Sequence, residues 1–393
     1  MGIIPKISMQ TRFRQLGLFA GLFCSGCLSV LALWFLTPSQ TPEPLSSSVS
    51  ASTPETLPSP QPEPEIRITI KAVGDTIMGT NFPSNNLPSG DPYRLFQAVQ
   101  TQLQGADILF GNYEATLTNH PISEKAVNGR SVFAFRAPPE YAKALKKAGF
   151  DILTIANNHA YDFGDIGFED TFRNIEKAGM RAVGKKGQIA YLEVKGIKVA
   201  FIGFSNYSDH NSVLDLKGTR AIVQKAKQNA QIVVVTFHAG AEGTGALRTR
   251  NATEYFFGEN RGNVVLFSRT AIDSGADLVL GHGPHVVRAL ELYKGKLIAY
   301  SLGNFMGYRT LSTVAELGQS LVLEVELDRQ GNFIAGKIHP LQLTSDGVPQ
   351  PDPKGKTIRL MRSLTKQDFP KTPLTIKDDG TITVLSKQPQ PNR

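Results

Sequence analysis

Short apolar runs recur along the chain, each closed by glycine or polar residues. Segments 66–73, 107–110, 151–155, 198–204, 232–237, 277–280 and 297–302 are long enough for buried strands and too short for helices. Between them, 92–104, 139–148, 167–178, 218–228 and 264–274 carry apolar residues near a 3.6 spacing and predict helices. Strands alternating with helices predict an α/β fold with a largely parallel sheet. Segments 320–327 and 336–343 read as antiparallel edge strands. Residues 345–393 are polar and rich in Pro and Lys, with one strand near 381–385, and predict a loosely attached tail.

The strand ends carry the chemistry. Gly275-Ala276-Asp277 leads through Leu278-Val279-Leu280 into Gly281-His282-Gly283-Pro284-His285. The same wiring recurs where 151–155 runs into Asn157-Asn158-His159, and where 107–110 runs into Gly111-Asn112-Tyr113-Glu114. The run 66–73 ends at Gly74-Asp75, and 232–237 ends at His238. Open α/β sheets place ligands at the carboxyl ends of their strands. Carboxylate, amide and imidazole side chains delivered there form a metal-ligand set.

Each residue has a plainer reading. Asp75 also suits a turn or a helix cap. Glu114 is preferred over Asn112 as a ligand because a bridging group needs charge. Asn158 can complete a metal shell through its amide oxygen. His159 then faces substrate as a proton donor, with Asp162 orienting its ring; the alternative is a polar loop with a cap. His238 at a lone strand end would be structural, but here it is one of five converging ends. His282 and His285, three apart in a Gly/Pro loop, have little packing purpose. His120, His210 and His339 read as surface or structural. Arg248 and Arg250 suit either an anionic substrate or solvent, and Asn304 either lines the site or satisfies backbone groups.

Composition adds a partner class and a compartment. Residues 66–393 carry a net charge of +9, which favours anionic partners or serves solubility alone. No nucleic-acid motif is present. The two cysteines, Cys24 and Cys27, lie in an apolar run at 16–36, so the body has neither a disulfide nor a thiolate nucleophile. That run is free of charge and follows Lys6, Arg12 and Arg14. It predicts an uncleaved transmembrane helix and a single-pass protein of the bacterial cell membrane with an extracytoplasmic body. The predicted division is an anchor at 1–36, a Pro/Ser-rich linker at 37–65, a catalytic-type domain at 66–345 and a tail at 346–393.

Together the motifs resemble the CapA family of poly-γ-glutamate capsule-synthesis proteins. The segments that carry this are Ala72-Val73-Gly74-Asp75, Gly111 to Glu114, Asn157 to Gly164, His238 to Glu242, Gly281 to Val286 and Tyr300 to Phe305. That family is similar to calcineurin-like metallophosphoesterases. The resemblance implies a two-sheet sandwich flanked by helices (α/β/β/α). It also implies two divalent ions (Mn, Fe or Zn) held by Asp75, Glu114, Asn158, His238, His282 and His285, with His159 as the acid. The chain departs from the phosphoesterase pattern at two points and from many CapA relatives at a third. No His stands in Asp75-Thr76-Ile77, two residues separate His282 from His285, and Ala239 stands where many relatives have Trp.

The expected function is a metal-dependent hydrolase acting on an acidic polymer such as poly-γ-glutamate. The alternative is a non-catalytic scaffold that binds the polymer and supports synthase or export subunits. A soluble cytoplasmic phosphatase would require 16–36 to be something other than a membrane segment.

Overall fold

In a computed structural model, which describes residues 66–127 and 132–385, the predicted parallel strands divide between two sheets. β1 (Arg67–Ile77), β2 (Ile108–Tyr113), β3 (Ile152–Thr154) and β4 (Arg181–Val183) run parallel in the first. The second begins with β5 (Ala190–Val194), β6 (Ile197–Ser205), β7 (Ile232–His238) and β8 (Leu278–His282), and is completed by β9 (Leu290–Tyr293) and β10 (Lys296–Ala299). Its order is β9-β10-β8-β7-β6-β5, with β5 and β9 antiparallel at the edges.

The two-residue period of each strand explains the layering. Ile68, Ile70, Ile108, Phe110 and Ile152 of the first sheet pack against Val199, Phe201, Ile232, Val234, Leu278 and Leu280 of the second, all fully buried. The intervening residues face outward under helices. Leu109 and Leu153 lie beneath α1 (Tyr141–Ala148) and α2 (Gly164–Lys177). Ile202, Val233, Val235 and Val279 lie beneath α3 (Leu216–Lys227) and α4 (Val264–Asp273). This is the α/β/β/α sandwich that the resemblance implied. Local chemistry sets the helix ends. Asp215 and Asn263 cap α3 and α4 by accepting from the backbone N–H groups of Gly218 and Leu266. Gly149, at φ 109°, closes α1 in the left-handed conformation.

The chain then returns to the first sheet. β11 (Asn304–Gly307) and β12 (Gln319–Asp328) share one edge of β1. β12 pairs antiparallel with residues 67–73, and β11 pairs parallel with 75–77. The changeover falls at Gly74, where a Cβ would lie 1.9 Å from the Gly303 carbonyl oxygen. Only glycine permits this bulge, and the bulge sets the direction of Asp75.

Three expectations are corrected. The strands expected at the sheet edge are interior, since β12 lies between β1 and β13 (Phe333–Leu343), and β13 pairs in turn with Pro349–Pro351 and Thr381–Val384. The expected loose tail instead supplies α5 (Lys356–Asp368), whose Ile358 and Met361 enter the core between the sheets while the Thr365 hydroxyl accepts from the Leu290 N–H. The single-pass membrane location is the third. Among the described residues no helix is long and apolar enough to cross a membrane. The 16–36 run and the 37–65 linker lie outside those residues.

Candidate metal centre

All the strand ends singled out above open on one rim. His238 ends β7 and His282 ends β8, in direct register. Asp75 lies in β1 just past the bulge, Glu114 follows β2, and His285 sits in the loop after β8 with φ 58°. Gly281, between them, has the Tyr300 carbonyl oxygen 2.3 Å from where a Cβ would stand, so β8 reaches the rim only with glycine there.

These side chains meet. Asp75 Oδ2 lies 3.2 Å from His285 Nδ1, and Asp75 Oδ1 lies 3.4 Å from His282 Nδ1 and 4.0 Å from His238 Nδ1. Glu114 Oε1 is 3.6 Å from His238 Nε2 and 3.7 Å from His285 Nε2. Asp75, Glu114 and His285 each offer an atom within 4.8 Å of the other two. Asp75, Glu114 and His282 are 0% exposed.

Most of these spacings are too long for hydrogen bonds. Both oxygens of Glu114, both ring nitrogens of His282, Nε2 of His238 and Oδ1 of Asn158 are buried without a hydrogen-bond partner. Each such group costs about 1–3 kcal/mol in a fold that offers it nothing. A divalent cation would satisfy carboxylate, imidazole and amide oxygen together, so the residues present fit a metal.

The electrostatics agree. Burial pushes the Glu114 carboxyl well above its usual range, and the neighbouring charges of Asp75 and Glu242 add to this. Burial would raise Asp75 too, but the His282 and His285 imidazoles outweigh it and hold Asp75 well below the carboxylate range. Burial opposes the charge on His285, yet Glu114, Asp75 and Glu242 push that imidazole up to about 10. Burial keeps His238 neutral against the pull of Asp75. In the ion-free protein, therefore, the His285 imidazolium supplies the positive charge that a metal would replace.

The supporting contacts sort the amides. Asn112 donates to Asp75 Oδ1 at 2.8 Å and accepts from Asn157 at 3.0 Å, so it braces the site. Asn157 also donates to the Tyr113 carbonyl and accepts from the His159 N–H. Asn304 fills both roles left open above, meeting His285 Nδ1 at 2.9 Å and donating to the Leu317 carbonyl. His159 Nδ1 lies 2.8 Å from Asp162 Oδ2, and the Phe135 N–H holds that same oxygen at 2.6 Å. Burial lowers the His159 imidazole below its ordinary value, Lys125 and His285 acting with burial and Asp162 against it.

Some residues carried no usable signal. Lys125 Nζ reaches Asp162 Oδ1 at 2.5 Å and the Asn158 carbonyl at 3.0 Å, from a loop without a motif. Glu242 Oε2 stands 3.9 Å from His285 Nε2 while its other oxygen pairs with buried Arg261 at 2.9 Å. Its position in the Gly-rich segment after His238 was the available clue. Arg248 is tied to Asp368 and so fastens its loop to α5.

The chain is 28% identical over 344 residues to the capsule biosynthesis protein CapA of Bacillus anthracis, covering 81% of this chain and 77% of that protein. It is 29% identical over 317 residues to the PGA biosynthesis protein CapA of Bacillus subtilis, covering 75% and 77%. Among solved structures, a putative 5'-nucleotidase from Staphylococcus aureus aligns at a TM-score of 0.40 and 18% identity, over 77% of this chain and 58% of that one. The family described as bacterial capsule synthesis protein PGA_cap matches residues 69–308, more than half of the sequence, and the chain belongs to that family.

Proposed function

We propose that the protein is a metal-dependent hydrolase serving the synthesis of an acidic capsule-type polymer of the poly-γ-glutamate kind. The observation that carries this is the set of buried, unpartnered ligand atoms on Glu114, His238 and His282 beside Asp75 and His285, with Asn158 Oδ1 likewise buried and unpartnered. These six residues would hold two divalent ions. When bound, the ions supply Lewis acidity at the scissile bond.

The remaining roles belong to the chain's own side chains. Asp162 and the Phe135 N–H fix the ring of His159, leaving Nε2 as the atom that exchanges a proton with substrate. A neutral His159 accepts a proton at Nε2 before it can return one to a leaving group. Asn112 and Asn157 hold Asp75 and the 157–159 loop in place. The test is elemental analysis of the purified full chain, run beside phosphodiester and γ-glutamyl hydrolysis assays. Absence of a stoichiometric divalent metal would overturn the reading.

The +9 charge of residues 66–393 favours a second reading, a scaffold that grips an acidic polymer for a synthase. In that case His238→Ala and His282→Ala would leave polymer output intact.

A further inference from the structure

A concavity lies on the outer side of the second sheet, between the loop after β6 and α3. It measures about 550 Å³, and Phe204, Ile222, His210, Asp215, Lys186 and Lys225 line it. Ser205, which ends β6, pairs in register with His238. Ser205 also anchors the lining. Its Oγ accepts from the Tyr207 N–H at 3.0 Å and meets His210 Nδ1 at 2.8 Å. Nε2 of His210 is buried without a partner, and burial holds this imidazole down to about 4, so it is neutral at ordinary pH.

The walls divide by chemistry. Ala221 and Ile222 of α3 give an apolar face, above the buried Phe204. Two lysines stand at the margin, against one carboxylate, Asp215, which is occupied in capping α3. The Lys186 ammonium is steered across the opening by the Ser208 carbonyl at 2.9 Å. Lys225 has no ion-pair partner among the described residues. An apolar wall a few methylenes wide under two cations matches a short aliphatic carboxylate.

We propose that this cavity is a subsite for a glutamyl unit of the acidic polymer, two methylenes against Ala221 and Ile222 and the carboxylate between Lys186 and Lys225. It would hold the chain while another unit lies at the metal cluster. The inference deepens the function proposed above and depends on it for the identity of the polymer. The same chemistry would suit a free dicarboxylate, so the experiment separates the two.

The probe is a fluorescent γ-linked glutamate tetramer, titrated against the full-length protein by anisotropy, with unlabelled glutarate as competitor. Ile222→Trp fills the cavity, and the Lys186→Met/Lys225→Met double variant removes its charge. Both should weaken tetramer binding about tenfold or more while metal content stays unchanged. The lysine pair lies at the surface, so it tests the idea even if the Trp variant folds poorly. Glutarate displacing the tetramer at equal molar concentration would overturn the polymer assignment. Tetramer binding that ignores both variants but falls with His282→Ala would also overturn it, leaving the metal reading intact. If the protein holds no metal yet the cavity variants still weaken binding, the subsite stands and the hydrolase reading falls.

Discussion

Glu114→Gln separates the cost of this site from its use. In the ion-free protein burial raises the Glu114 carboxyl well above its usual range, so its charge is disfavoured there. Gln keeps nearly the same shape and carries no charge for burial to oppose. Stability without metal should change by less than about 1 kcal/mol. With metal the comparison reverses, because one anionic ligand is gone from a buried cluster. Removing one partner of a buried charge pair costs about 3–5 kcal/mol, roughly a hundredfold or more in affinity. At free metal near 100 times the native dissociation constant, the native protein gains about 2.7 kcal/mol. The variant gains less than about 0.5 kcal/mol. At roughly 2–4 °C per kcal/mol, the native melting temperature should rise about 5–10 °C on adding Mn²⁺ or Zn²⁺ after chelation, and that of the variant about 1 °C. Metal uptake by the native protein should also release protons from the cluster, seen as buffer-dependent heat in calorimetry. Equal upshifts for the two proteins would refute the reasoning, as would a variant already several degrees less stable without metal.

Three further outcomes can be measured. The His210 imidazole is held down to about 4 by burial, against an ordinary 6.5, so the unfolded chain binds the extra proton first as pH falls. Stability should be full above pH 6.5 and decline towards pH 4 by up to about 3 kcal/mol; His210→Phe should flatten that slope in urea titrations. Phe257 holds φ 47° and is 90% exposed, its ring touching only Phe256 in the ring contacts of the described residues, so Phe257→Gly should raise stability by up to about 1 kcal/mol, relief of left-handed strain outweighing that one exposed contact. Met361 of α5 is fully buried, so Met361→Ala should cost about 2–5 kcal/mol in chemical denaturation, a loss no loose tail would show.

What the sequence made legible was local. A buried strand is a run of apolar residues, and its end is visible as the first ligand-type residue. For that reason Asp75, Glu114, His238, His282 and His285 could be singled out before their meeting was visible. Contacts made at a distance left no such mark. Arg261 and Glu242 pair only because the loop between them folds back over the rim. Lys125 reaches Asp162 from a stretch with no periodicity at all. The helix α5 was hidden by its charges. Ile358, Met361, Leu364 and Thr365 mark one buried stripe, but the lysines and arginines between them lower the average to that of a tail. The edge assignment of 336–343 failed for the same reason, since the strands that cover it come from that same stretch, and 320–327 is interior because it lies between β1 and β13.

The division of the β1 edge between β11 and β12 bears on how the molecule is made. During synthesis the first strand of the domain emerges early, yet both neighbours on that side lie beyond residue 303. Until they leave the ribosome, β1 carries an open, apolar flank of the kind that recruits other strands. Asp75 likewise lacks its backbone tie to Gly303 until then. A nascent chain therefore cannot capture an ion in finished form before residues 303–328 have left the ribosome, which delays loading until the cradle is complete.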